Sequence, residues 1–339
     1  MFNQLSLSDG RSSLGSDPEF FFVKKKEMVP SKDVVPEKTG DGWSRSPKWV
    51  IRDGFQGELN PASDSCRQSA GSMIALALIE AKSLADKSGH SISFKMGHVV
   101  SDKQWKRATK EEKRFGCSPT MNIYSSRSRI VTGMRERFRA AGGHVHFSLM
   151  GSQKENLSRL VAVMDIVVGN TCVMIDRDPD NARRRKIYGR AGEYRVKSYG
   201  MEYRVLSNFW LQSYTLWSLV SQLGRNAISI EKSGMSEELI ARFDMRKIRR
   251  AINNNDIVLA RENFEILKQF LIDHRAEGNG LSVERLPRFT EWFNMKKPLF
   301  FCNTTTKVMA GWQNKLDTGG TGIESFIDFM KYKKNNAEF

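Results

Sequence analysis

Apolar positions along this chain follow two rhythms, and the change from one to the other organises it. Short or alternating apolar runs bounded by Gly, Pro and Ser predict strands over residues 14–23, 49–59, 91–96 and 142–149. The second of these is interrupted by Gly54 and Gly57. Residues 193–206 read as two strands hinged at Tyr199–Gly200. Helical spacing prevails over residues 62–87, where Ile74, Leu76, Leu78, Ile79 and Leu84 form one stripe, and again over 208–226. Ser152 and Glu155 have the spacing of a capping box, so a helix is expected from there to residue 176. The segment 29–47 and the basic run from Arg183 to Lys186 read as loops, and residues 98–120 have no period that assigns them.

Beyond Gly234 the patterns are helical only, over residues 236–253, 263–276 and 322–334. The expected organisation is therefore an α+β domain over residues 14–230 and a helical C-terminal region over 235–339.

At 339 residues the chain can bury a sizeable core. Its longest apolar stretch, residues 160–175, is broken by Asp165 and Asn170 and is too short to span a bilayer. The first 13 residues are polar and lack the apolar run of a secretory signal. Cys66, Cys117, Cys172 and Cys302 are far apart, with no C-x-x-C spacing, so each reads as a small buried apolar residue in a reducing compartment. A soluble, cytoplasmic protein without membrane contact is expected. The formal charge of +16, from 54 basic and 38 acidic residues, points to an anionic partner. Nucleic acid, a nucleoside triphosphate and acidic small molecules all satisfy that.

Chemistry concentrates where charged or metal-capable residues alternate along strands. Residues two apart on a strand share a face, so Asp17 pairs with Glu19, Glu58 with Asn60, His144 with His146, and Glu202 with Arg204. Strands lying side by side would merge these pairs into one polar surface, costly to bury unless its charges are paired or metal-bound. Carboxylates with a histidine suit a hard cation shared with phosphate oxygens. Each piece also has a plainer reading: turn chemistry for D-P-E, a solvated or satisfied pair for H-x-H, and an intrastrand charge pattern for E-Y-R. EYRV occurs twice, at 193–196 and 202–205, and the first glutamate, Glu193, reads as structural.

The segments GSDPEFF, GELNPA, GGHVHFS and RRRKIYGRAGEYRVKSYGMEYRVLSNFW resemble, in that order, the phage-encoded type-2 amidoligases (COOH–NH₂ ligases). The resemblance covers residues 14–225 with gaps at 29–48 and 90–115, and the 183–210 block is its most specific part. It implies a curved, mainly antiparallel, glutamine synthetase-like sheet backed by helices, with ATP and Mg²⁺ (or Mn²⁺) on the concave face. By motif it implies Glu19, Glu58 and Glu202 as metal ligands, with Asp17 beside the first. His144 and His146 would lie near metal and nucleotide phosphates, and Arg204, Arg195 and Arg185 would hold phosphate or developing negative charge. The first strand carries Asp17-x-Glu19 where related ligases have E-x-E, so the shorter Asp17 is expected to act through water or a neighbouring ligand. The implied activity is ATP-dependent amide formation between a carboxylate and an amine through an acyl phosphate, in the host cytoplasm if phage-encoded.

Two other readings compete. A basic protein with seven Trp and the cluster Arg246, Lys247, Arg249 and Arg250 suits nucleic-acid binding or a virion role without ATP chemistry. His144, His146 and a carboxylate also suit a metal-dependent hydrolase or oxygenase needing no nucleotide. Oligomeric state and the identity of both substrates are left open by the sequence.

Overall fold

A computed structural model describes residues 12–36, 49–114, 120–129, 136–149, 156–176, 178–274 and 305–318. Its strands pair antiparallel throughout the described sheets. The expected first strand divides in two. β1 (Leu14–Ser16) joins one sheet, and β2 (Glu19–Lys24) begins another after Asp17–Pro18. Proline lacks a ladder donor, so the chain changes sheets there without losing a hydrogen bond. Lys25 and Lys26 turn back at positive φ into β3 (Glu27–Val29). The 49–59 segment is a hairpin, β4 (Val50–Asp53) and β5 (Gln56–Leu59), turning at Gly54 with φ +58°. β2 lies between β3 and β5, and the short β6 (Ser91–Ser93) also pairs with it.

The second sheet holds the C-terminal motifs. Its order is β1, β11 (Val145–Ser148), β13 (Gly200–Tyr203), β12 (Glu193–Lys197), β8 (Thr120–Asn122) and β9 (Ser125–Arg129). A small ladder of β7 (Gly97–Val99) and β10 (Phe138–Ala140) completes the described strands. The hinge expected at Tyr199–Gly200 is the tight turn between β12 and β13. Gly200 sits at φ +153°, and a Cβ there would lie 2.2 Å from the Phe147 carbonyl oxygen. Gly200→Ala is therefore expected to cost about 3 kcal/mol, measured by urea denaturation with unchanged slope.

Helices cover these sheets. α1 (Arg67–Lys87) buries Ile74, Leu78 and Ala81. The unassigned 98–120 segment contains two short helices, α2 (Asp102–Arg107) and α3 (Lys110–Lys113), the latter closed by a Thr109/Glu112 capping box. The capping box expected at Ser152 and Glu155 lies outside the described residues. The helix it was to start, α4, runs from Leu157, becomes π-helical over Asp165–Asn170 and ends at Val173. The basic run expected as a loop is instead a helix, α5 (Asn181–Ile187). Its Arg184 is fully buried, donating to the carbonyls of Val205 at 2.9 Å and Leu206 at 2.6 Å. Charge density alone misread it, because a buried guanidinium can saturate main-chain carbonyls at a strand end.

α6 (Tyr214–Lys232) follows, with Leu216, Trp217, Leu219, Val220 and Leu223 buried. Past Gly234 (φ +73°) come α7 (Ser236–Ala241), α8 (Met245–Asn254) and α9 (Ile257–Asp273). These helices share one continuous apolar core with the sheets. Ile248, Ile252, Phe264 and Leu267 belong to the same cluster as Phe20, Phe22, Val145 and Tyr203. Buried amides fasten them, with Asn263 donating to Asn170 and Asn170 to the Ala260 carbonyl, each at 2.9 Å. α10 (Thr305–Thr318) seats Trp312 on Tyr214 and donates its indole N–H to the Leu211 carbonyl at 2.7 Å. The helix expected over 322–334 lies outside the described residues. No described helix is long and apolar enough to cross a membrane.

Candidate active site

Register builds the site. Pairing of β11 with β13 sets His146 opposite Glu202, and pairing of β13 with β12 sets Glu202 opposite Arg195. Alternation then carries His144 and Lys197 to the same face. Asp17 meets both imidazoles from the sheet switch. Its Oδ1 lies 3.2 Å from His144 Nδ1, and its Oδ2 lies 3.0 Å from His146 Nε2. Glu202, fully buried, is ringed by basic side chains: Arg204 Nη1 at 3.0 Å, Arg195 Nη1 and Lys197 Nζ at 3.1 Å, and His144 Nδ1 at 3.4 Å. Tyr199 stacks on His146 and places its hydroxyl 2.6 Å from Nδ1.

Protonation follows from these contacts. Burial pushes the Asp17 carboxyl up, but the charges of His146 and His144 outweigh it and hold the group well below the usual carboxylate range. Burial likewise raises Glu202 and Asp17 repels it, yet His144, Arg204 and His146 bring it below its ordinary value. Desolvation depresses the His146 imidazole, and Asp17 and Glu202 more than reverse that, leaving it raised. In this half of the site positive groups outnumber the two carboxylates.

The other half is different. Glu19 and Glu58 sit directly opposite on β2 and β5, and Asp53 completes a set whose ligand atoms lie within 4.8 Å of one another. One oxygen of Glu19 is fixed by three donors: the Gly142 N–H at 2.7 Å, and Gln56 Nε2 and Tyr188 Oη at 3.1 Å each. Burial, then the charges of Asp17, Asp53, Glu19 and Glu202, push the Glu58 carboxyl up to about 10. All four of these charges are carboxylates. Like charges directly opposite on paired strands destabilise a sheet, and three clustered carboxylates are the donor set of a hard divalent cation. Asp17, His146 and Glu202 form a second set with ligand atoms within 4.8 Å. The two sets adjoin, because Glu58 feels both Asp17 and Glu202.

His144 Nε2 is buried without a hydrogen-bond partner among the described residues, and a Cβ on Gly142 would lie 2.5 Å from it. Only glycine at 142 leaves the ring its place. The G-G-H-V-H segment thus supplies two imidazoles, a glycine that accommodates one of them and a main-chain donor that fixes Glu19.

Asp17, Glu19, Glu58, His144, His146, Arg195, Glu202 and Arg204 are therefore brought together. Arg185 is not: its buried guanidinium donates to the carbonyls of Gly189 and Val205 and lies beside Asp176 and Glu193. Burial, then Arg184, lowers it to about 10. Glu193 accepts the Gly189 N–H at 2.6 Å, a structural contact. Sequence reasoning missed Asp53, which reads as the first half of an Asp-Gly turn, and also Gln56, Tyr188 and Tyr199. Lys197 was within reach, since alternation from Arg195 leads straight to it. Cys172 is buried as expected, whereas Cys66 is exposed.

Residues 125–247 match the model of the phage phiEco32-like COOH.NH2 ligase-type 2 family. No curated protein matches the chain. The matched stretch holds His144, His146, Arg195, Glu202 and Arg204, while Asp17, Glu19, Asp53 and Glu58 lie before it and reach the same centre through the fold. Over residues 125–247 the chain is therefore similar to the phage phiEco32-like COOH–NH₂ ligases of type 2, a family whose name describes carboxylate–amine ligation.

Proposed function

We propose that the two adjoining clusters are one ATP- and Mg²⁺-dependent ligase centre on a glutamine synthetase-like fold, joining a carboxylate to an amine through an acyl phosphate. The observation that supports it best is the division of charge. A trio of carboxylates borders a cluster in which Arg195, Lys197 and Arg204 crowd a single glutamate. Mg²⁺ (or Mn²⁺) held by Glu19, Asp53 and Glu58, with Asp17, Glu202 and His146 as the second set, would neutralise and align triphosphate oxygens.

The chain's own groups do the rest. Arg195, Lys197 and Arg204 exceed the charge of Glu202 and can turn that excess on the transferred phosphoryl group. The substrate carboxylate attacks the γ-phosphorus of ATP, releasing ADP and giving the acyl phosphate. An amine then attacks the acyl carbon and expels phosphate, leaving the amide. The proton the amine loses leaves with the phosphate, while His144 holds Nδ1 against Asp17 and Glu202 and keeps Nε2, which has no partner among the described residues, for a bound ligand.

A thermal-shift titration tests the nucleotide step. Mg²⁺ with ATP at about 100 times the dissociation constant is expected to stabilise the native chain by about 2.7 kcal/mol. ATP in EDTA should shift it far less, and Arg195→Ala/Lys197→Ala should lose the response. Equal shifts with and without Mg²⁺, or none at all, would count against the reading.

A further inference from the structure

Outside the catalytic face, α5 lies against α8, and between them they turn mostly basic side chains to solvent, with Asp244 at the start of α8 paired to Arg246 at 3.3 Å. α8 buries Ile248, Ala251 and Ile252, which leaves Arg246, Lys247, Arg249 and Arg250 exposed, beside the exposed Lys186 and Arg190. The ridge ends at a cavity of about 150 Å³ whose mouth carries Arg190 and Arg249, the latter over the Tyr124 ring with its guanidinium carbon 4.6 Å from the centroid.

Side-chain amides fasten the cavity wall. Asn122 donates to the Ala191 carbonyl at 2.9 Å and accepts the Tyr124 N–H at 2.8 Å, and Asn253 accepts the Ala191 N–H at 2.9 Å. Glu193, also on the wall, accepts the Gly189 N–H at 2.6 Å and lies near Arg185. Arg190 and Arg249 at the mouth outnumber this one carboxylate, so the cavity favours an anionic group.

Its position ties it to the chemistry. Glu193 shares a strand and a face with Arg195 and Lys197, and two strand residues span about 6.6 Å. A ligand seated in the cavity is thus two residues along β12 from Arg195, which pairs with Glu202. We propose that the substrate is the end of an acidic peptide, guided by the α5–α8 ridge and anchored by one carboxylate in this cavity. This rests on the carboxylate–amine ligase reading, which requires a carboxylate that nucleic acid does not supply. Size agrees, since a cavity of about 150 Å³ accommodates the end of a carboxylate side chain.

Fluorescence anisotropy with labelled octaglutamate, over a range of salt, tests this. The native chain should bind, with affinity falling as salt rises, and Arg246→Glu/Arg250→Glu should weaken binding about tenfold or more. The same variant should keep the native melting temperature, which shows that it folds. Arg249→Gln, at the cavity mouth, should weaken the peptide with a smaller change in salt dependence. Binding indifferent to ridge reversal, or an oligonucleotide of equal charge bound more tightly than octaglutamate, overturns the proposal. The Mg²⁺–ATP shift of the native chain, measured in parallel, reports on the ligase reading separately.

Discussion

Replacing Glu202 with alanine is expected to destabilise the chain by about 3–5 kcal/mol and to abolish ligation, the largest effect of any single site residue. Glu202 is fully buried and lies within 3.1 Å of Arg195, Lys197 and Arg204, with His144 just beyond. Removing it leaves several positive charges facing one another with little water to screen them. Arg204 suffers most, being almost wholly buried itself. Urea denaturation measures the loss, and a second substitution identifies its cause. If unpaired cations are responsible, Glu202→Ala/Arg204→Met should recover part of the stability while staying inactive. A double variant no more stable than Glu202→Ala would point to lost packing instead. Glu202→Gln keeps the shape and cancels the charge, so it should fall between native and alanine in stability yet resemble alanine in activity.

What could be read in the sequence was whatever a period of two determines. His144 with His146, and Arg195 facing Glu202, follow from alternation and a hairpin, and the structure places them so. The same rule misled at Asp17 and Glu19, because it assumes one continuous strand. Pro18 lies where the chain passes from one sheet to the other, and the two carboxylates serve neighbouring clusters. Asp53 was invisible for a related reason, since its turn chemistry is local whereas its partners Glu19 and Glu58 come from pairing across two strands. Arg185 shows the opposite error. A basic run looks the same whether its side chains meet phosphate, water or carbonyls, and here the carbonyls of Gly189 and Val205 take it. Tyr188 and Gln56, which steady Glu19, belong to the part of a site that only tertiary structure reveals.

Glu58 yields the second large effect, and its sign separates a metal site from a merely acidic one. With its carboxyl raised from the ordinary 4.5 to about 10, the folded metal-free chain keeps a proton that the unfolded chain loses. The folded state binds more protons throughout that interval, so this group's contribution is fully present below about pH 4.5 and is lost progressively as pH rises towards about 10. A divalent cation must displace the proton, so Mn²⁺ affinity should rise with pH, and calorimetry in buffers of different ionisation enthalpy should show proton release. Glu58→Gln resembles the protonated form. Without metal it should fold as stably as the native chain or more so above neutrality, with a flatter pH dependence, and it should lose the Mn²⁺-induced rise in melting temperature. A structural carboxylate would behave in the reverse way, its removal costing stability and leaving the metal response intact. Native-like Mn²⁺ binding by Glu58→Gln would move the cation to the Asp17, His146 and Glu202 set, and Asp17→Asn would then be the variant that loses it.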